Sequence, residues 1–192
     1  MRQADTKTLI LDVAQDLIQR LGVNGMSYQD ISDRVGIRKA SIHTHFPKKD
    51  DLLLALFQRY SDRFFRIVDG ILESGDSPEL QLRRYCALFE ATLSSGNQDK
   101  TCLCAMLGAE TLTLSAPLVE DVQRFCRANE ARLTMLLEEG CQDGSFRFPG
   151  EIQAMAALMF ETLQGSMLMA RVRGGVGQFH QTIEQLMRLV KG

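Results

Sequence analysis

An all-α chain of about nine helices is predicted by three observations. Apolar residues recur at three- and four-residue spacing in one segment after another. Gly, Pro and Ser clusters separate those segments, and two-residue alternation is confined to brief runs in linkers. The expected organisation is a compact three-helix head over residues 1–47, joined through a long helix to a helical body over 48–192.

The elements follow in order. Ile10, Val13, Ala14, Leu17, Ile18 and Leu21 form one apolar stripe that stops at Gly22. Ser27 caps a second helix, with Asp30 three residues on in a capping-box-like position, Ile31 and Val35 inward, and Gly36 as the break. A short third helix covers about Lys39–His45 with Ile42 and Phe46 pointing in, and Pro47 closes it. A fourth runs from about Lys49 to Glu73 and ends in the loop Ser74–Pro78. The fifth spans about Glu79–Ser94, and SGNQDK at 95–100 breaks it. The sixth is expected over Leu103–Thr113 and the seventh over Pro117–Glu139, followed by the linker GCQDGSFRFPG. The eighth covers Ile152–Arg171, the Gly174–Gly175 pair interrupts, and the ninth covers Val176–Val190.

Composition narrows the class. The chain is 45% hydrophobic and 24% charged, ordinary for a soluble globular protein. It has no apolar run of membrane-spanning length and no secretory signal pattern, which predicts a cytoplasmic location. The five cysteines (Cys86, Cys102, Cys104, Cys126, Cys141) are odd in number and lack zinc spacing, so neither a disulfide framework nor a metal site is expected. No cofactor motif is present. The net charge of −2 hides an asymmetry, because Arg34–Lys49 holds five basic residues and no acidic one. A local basic patch on an acidic chain is the electrostatic footprint of DNA contact.

Two short helices joined by a tight turn, with basic and hydroxyl residues on the second, suit the DNA major groove. Lys39 and Ser41 open the candidate recognition helix. Arg38 precedes it, placed to fork onto guanine, and His43 and Thr44 lie one turn on, opposite Ile42 and Phe46. Ser27 and Tyr28 open the supporting helix, and Lys49 opens the fourth; all three are expected at phosphates. His45 completes the candidate DNA-binding set.

These residues carry a resemblance. Val35–Leu52 reads V-G-I-R-K-A-S-I-H-T-H-F-P-K-K-D-D-L and resembles the TetR family pattern A-G-V-S-K-G-T-L-Y-x-Y-F-x-S-K-E-x-L. Ser27, Phe46 and Lys49-Asp50 fit the family's hydroxyl, aromatic and Lys-acidic positions. His43 and His45 stand where Tyr is usual, which suggests pH-dependent operator affinity, and Ala40 stands where Gly is common. The resemblance implies a homodimeric, ligand-responsive transcriptional repressor. Such a protein binds double-stranded DNA at a palindromic operator and is released by a small apolar or electrophilic effector.

In the body, the ninth helix keeps Val176, Phe179, Ile183 and Leu186 at helical spacing, and the eighth offers Met155, Leu163 and Met167. These seven are the expected dimer face, forming a four-helix bundle with their symmetry mates. The resemblance implies an effector pocket between head and dimer face. Its candidate lining is Phe89, Cys102, Met106, Leu107, Phe125, Met135, Met159 and Phe160. Thr101–Glu110, TCLCAMLGAE, is similar to the G-C-L-x-x-x-L-x-A-E element of a TetR subgroup, some of whose members respond to electrophiles through the cysteine. That makes Cys102 a candidate redox sensor, with Cys104 as a resolving neighbour. An enzyme using Cys102 as nucleophile and His180 as base is the competing class. It lacks a nucleophile elbow, a phosphate loop and a metal motif, so no enzymatic activity is expected.

Overall fold

Helical spacing becomes nine α-helices among the described residues of the computed structural model, which are 5–94, 99–173 and 175–192. They are α1 (Thr6–Leu21), α2 (Tyr28–Val35), α3 (Lys39–His45), α4 (Lys49–Leu72), α5 (Pro78–Leu93), α6 (Leu103–Ala109), α7 (Ala116–Gln142), α8 (Ile152–Arg173) and α9 (Val176–Lys191). The described residues contain no strand. Most of the expected break at 95–100 and the first residue of the Gly174–Gly175 pair lie outside the described residues.

Local chemistry sets the ends of the helices near the amino terminus. At α2, the Ser27 hydroxyl accepts from the Asp30 amide while the Asp30 carboxylate accepts from the Ser27 amide, a complete capping box. That bonding holds the Asp30 carboxyl below its ordinary range. Gly36 closes α2 with φ 76°, ψ 31°, the left-handed conformation that costs a glycine little. The Ser32 hydroxyl donates to the Ile37 carbonyl at 2.5 Å and fixes the turn into α3. Phe46 ends α3, its amide still bonded to Ile42, and Pro47 follows.

One segment differs from the expected sixth helix, which was to run to Thr113. α6 stops at Ala109, and a 3₁₀ turn at Thr111–Thr113 replaces its last turn. The Thr113 hydroxyl donates to the Glu110 carbonyl, the competition by which hydroxyl side chains disfavour continued α-helix.

Packing groups the residues into two compact units. The first holds residues 1–62 and 103–123, and thus α1–α3, the start of α4, α6 and the start of α7. Its core includes Ile10, Ala14, Leu17, Ile18, Ile31, Ile42, Phe46, Leu56, Phe57 and Leu107, all buried. The second holds 63–102 and 124–192. In it α8 and α9 pack on each other and on α5. An aromatic group lies in this unit: Phe64 meets Phe89, Tyr85 and Phe125 at ring distances of 5.9, 6.4 and 5.2 Å, and Phe89 meets Phe160 at 6.5 Å. The buried Tyr85 hydroxyl donates to Asn129 Oδ1 at 3.1 Å, and the Asn129 amide donates to the Phe125 carbonyl, so these two enclosed polar side chains are satisfied.

Candidate nucleic-acid interface and helical body

Helix α3 presents two faces. Ile42 is fully buried and Phe46 nearly so, which seats the helix on the first unit's core. Arg38, Lys39, Ser41, His43, Thr44 and His45 are all exposed. The apolar face thus fixes the helix while the polar face offers guanidinium, ammonium, hydroxyl and imidazole groups to solvent. This is what direct readout of base edges requires of an element in the major groove. The Thr44 hydroxyl donates to the Ala40 carbonyl at 3.0 Å, and His43 Nδ1 lies 3.3 Å from the Pro47 carbonyl oxygen, so both side chains are oriented before any contact.

The three residues expected at phosphates are all hydrogen-bonded within the chain. Lys49 Nζ donates to the Val23 and Met26 carbonyls at 2.6 and 2.7 Å. Burial pulls its pKa below the ordinary lysine value, and the charges of Glu110 and Asp30 act in the opposite direction. The Tyr28 hydroxyl lies 3.0 Å from the Phe46 carbonyl and 2.8 Å from the Lys48 carbonyl, positioned to donate to them. Burial, and then the Asp51 charge, push its pKa up to about 12. The Ser27 hydroxyl donates to Asp30 Oδ2 at 2.7 Å. The reason differs with the setting: part-buried carbonyls of Val23, Met26 and Phe46 hold Lys49 and Tyr28, where an unmade bond is costly, while Ser27 is held by the local geometry of its cap. Of the basic run, Arg34 pairs with Asp16 at 2.6 Å, and Lys48 stands exposed just before α4. Sequence reasoning placed Lys48 in the patch but not in the site. The two adjacent lysines look alike in sequence, and only burial separates them.

The expected dimer face also changes. Met155, Leu163, Met167, Phe179, Ile183 and Leu186 are buried within this chain's own second unit, and Val176 is half-buried. These stripes are where α8, α9 and α5 meet, so a second molecule cannot reach the six buried side chains directly. The outward stripe is different: Leu158, Thr162, Gly165, Met169 and Val172 on α8, and Gln178, Thr182, Gln185 and Leu189 on α9. Shallow grooves run along it, lined by Thr162, Gly165, Ser166, Met169, Gln178 and Thr182, with Pro149, Gln185 and Leu189 further on. A side chain at Gly165 would meet nothing within 4 Å, so no contact inside this chain requires glycine there.

Among the pocket candidates, Phe89, Phe125 and Phe160 join the aromatic group, and Met159 is fully buried in the same unit. Met106 and Leu107 belong to the first unit, where the Met106 methyl lies beside Gly22. Met135 is 61% exposed on α7 and lines no interior. Its turn of the helix buries Leu133, Leu136 and Leu137 instead, which leaves 135 on the opposite side. Phe64 and Tyr85 belong to the same group, and the sequence reading did not include them in the lining. On α8, Gln164 has both amide atoms enclosed with no hydrogen-bond partner. Cys102 immediately precedes α6 and is 2% exposed, and Cys104 is also buried. Reactive thiols occupy accessible, electropositive surroundings, and this enclosure is the opposite. His180, the base of the competing enzyme reading, is exposed and lies 3.5 Å from Glu90. Among the described residues no group of His, Cys, Asp or Glu is placed to hold a metal, and no helix is long and apolar enough to cross a membrane.

Comparison with known proteins agrees with this geometry. Residues 10–56 match the family model described as bacterial regulatory proteins, tetR family. A TetR family transcriptional regulator from Agrobacterium tumefaciens is 34% identical, with 97% of each chain covered and a TM-score of 0.91. A TetR transcriptional regulator from Legionella pneumophila is 26% identical over the full length of both chains, with a TM-score of 0.88. The HTH-type transcriptional repressor NemR of Escherichia coli (strain K12) is 25% identical over 171 residues, which cover 88% of this chain and 85% of NemR.

Proposed function

This chain belongs to the TetR family of bacterial regulatory proteins, and on that premise we propose that it is a homodimeric repressor that binds a palindromic operator and releases it when an uncharged, largely apolar small molecule enters the body. The observation that carries the DNA reading is α3: its core face is buried and six polar side chains stand exposed on the other. In this reading Arg38 and Thr44 read base edges, and Lys39, Ser41, His43, His45 and Lys48 contribute phosphate and edge contacts. Repression is supported by the name of NemR, itself a transcriptional repressor.

Two-fold pairing follows from the requirement for two half-sites one helical turn or a multiple apart. The surface that fits a second copy is the outward stripe of α8 and α9, where Gly165 has open space above it and Leu158, Met169, Val172 and Leu189 are exposed. Effector binding is supported by the aromatic group around Phe64 and by Gln164. An enclosed amide without partners costs free energy, and a neutral ligand with a carbonyl or hydroxyl group would recover it. A charged ligand is disfavoured, because Tyr85 and Asn129 are neutral and already paired, and the nearby Arg132, stacked on Phe65, is already bonded to Asp69. Effector and operator then weaken each other reciprocally.

The test is selection from a random-sequence duplex pool with the full-length protein, followed by anisotropy titration of the selected duplex. A palindromic consensus is expected, bound far more tightly than random duplex and weakened steeply by salt. Absence of any enriched sequence would sink the reading.

A further inference from the structure

The turn between α1 and α2 is held from two sides. Gly22 leaves α1 with φ 82°, and among the described residues neither the Val23 nor the Asn24 amide meets a backbone carbonyl. Both donate to one carboxylate, Glu110, at 3.0 and 2.9 Å. The Asn24 side chain adds a bond to the Thr113 hydroxyl at 3.3 Å. From the other side, Lys49 Nζ takes the Val23 and Met26 carbonyls of the same turn. Any Cβ at residue 22 would overlap the Glu110 carboxylate, so glycine serves both the backbone angle and the close approach. Nearby, the Ser115 hydroxyl donates to Asp50 Oδ1 at 2.6 Å, tying the start of α7 to the start of α4.

The geometry points to Glu110 as a positioning residue for the DNA-contacting head: its carboxylate closes the turn from which α2 and α3 are hung, so their seating depends on where α6 ends. Charge-assisted bonds to two adjacent amides are stronger than neutral ones and have a defined direction. The turn they fix leads directly through the buried Met26 into the α2 capping box. Glu110 carries a negative charge, so it contributes nothing attractive to DNA itself. It acts by keeping the head in its binding-competent arrangement, and apparent affinity scales with the fraction in that arrangement. The chain runs from Glu110 back through the seven residues of α6 to Cys102, the last residue of the second unit before that helix. A shift of α6 would therefore be felt first at Val23 and Asn24.

This role rests on the DNA-binding reading, and the experiment separates the two. Full-length wild type, E110A and E110Q are compared by amide hydrogen exchange at Val23 and Asn24. Anisotropy titration follows, with the duplex selected by wild type and with a random duplex. In E110A the two amides should exchange about tenfold faster or more, while Ile18 in α1 keeps its protection. Affinity for the selected duplex should fall about tenfold. Affinity for random duplex should hold or rise, because a negative charge has been removed. E110Q keeps one acceptor oxygen and should fall between. Unchanged exchange at the two amides overturns the proposal, as does faster exchange with selected-duplex affinity intact. Parallel loss of Ile18 protection and of both affinities overturns it too, since that is general unfolding. If wild type selects no duplex, the DNA-binding reading fails and this role with it. Exchange at Val23 and Asn24 then still reports whether the clasp exists in solution.

Discussion

Lys39 and Lys49 are the same residue type in one basic run, ten positions apart, and the structure places them in opposite settings. Lys39 is exposed at the start of α3, while Lys49 is drawn onto the Val23 and Met26 carbonyls. Their alanine variants should separate cleanly. Lys39→Ala should reduce the slope of log affinity against log salt by about one, because one phosphate contact is lost. Lys49→Ala should leave that slope unchanged and instead lower unfolding stability by about 1–3 kcal/mol, since two carbonyls lose a charged donor. Salt-dependent anisotropy and urea titration measure the two effects; a reduced slope for Lys49→Ala would restore it to the DNA surface. The residue types of the interface were legible in sequence, and the exposed face of α3 carries Arg38, Lys39, Ser41, His43, Thr44 and His45 as expected. Which donors were already engaged was not legible. Tyr28 and Lys49 find partners 18 and 26 residues away, and periodicity carries no information about such bonds.

At the scale of elements, caps and breakers did most of the specifying. Ser27 with Asp30, Gly36 and Pro47 mark their helix ends in the structure as in the sequence. The early stop of α6 was missed because Thr111 and Thr113 sit in an apolar pattern that continues to look helical. Gly140, within α7, shows how a helix end is packed. The Phe146 ring lies against it so closely that an added Cβ would overlap the ring, and the Phe146 amide is bonded to the Gly140 carbonyl at 2.8 Å. Gly140→Ala gains helix propensity, about 1 kcal/mol. It must also displace a buried ring that its own backbone bond holds in place. Overpacking of this kind costs about 1–3 kcal/mol, so the net effect should be destabilising, read as a lower urea midpoint with an unchanged m-value.

At the scale of the whole molecule, the class was plain from helical spacing, whereas the apolar stripes of α8 and α9 expected at a dimer face are mostly buried inside the chain. Apolar residues at three-four spacing mark a buried stripe without saying what buries it, and here α5, α8 and α9 bury it among themselves. The outward stripe mixes Thr162, Gly165, Gln178, Thr182 and Gln185 with a few exposed apolar residues, a composition easily taken for ordinary surface. If a second copy covers that stripe, a single charge there should be decisive. Leu189→Asp should sediment as a monomer at concentrations where wild type is dimeric. It should also lose about a hundredfold in affinity for the selected palindrome while keeping its thermal stability as a folded chain, because two linked heads bind far better than one. Phe179→Asp, by contrast, should fail to fold, since that ring is fully enclosed.

The clasp at Gly22–Met26 also bears on engineering. A designer who grafts only the amino-terminal motif of this chain onto a foreign sensor would leave behind the carboxylate that occupies two of its amides and the Ser115 hydroxyl that bonds Asp50. A transplantable reading head is therefore discontinuous: residues 1–62 must travel together with 103–123.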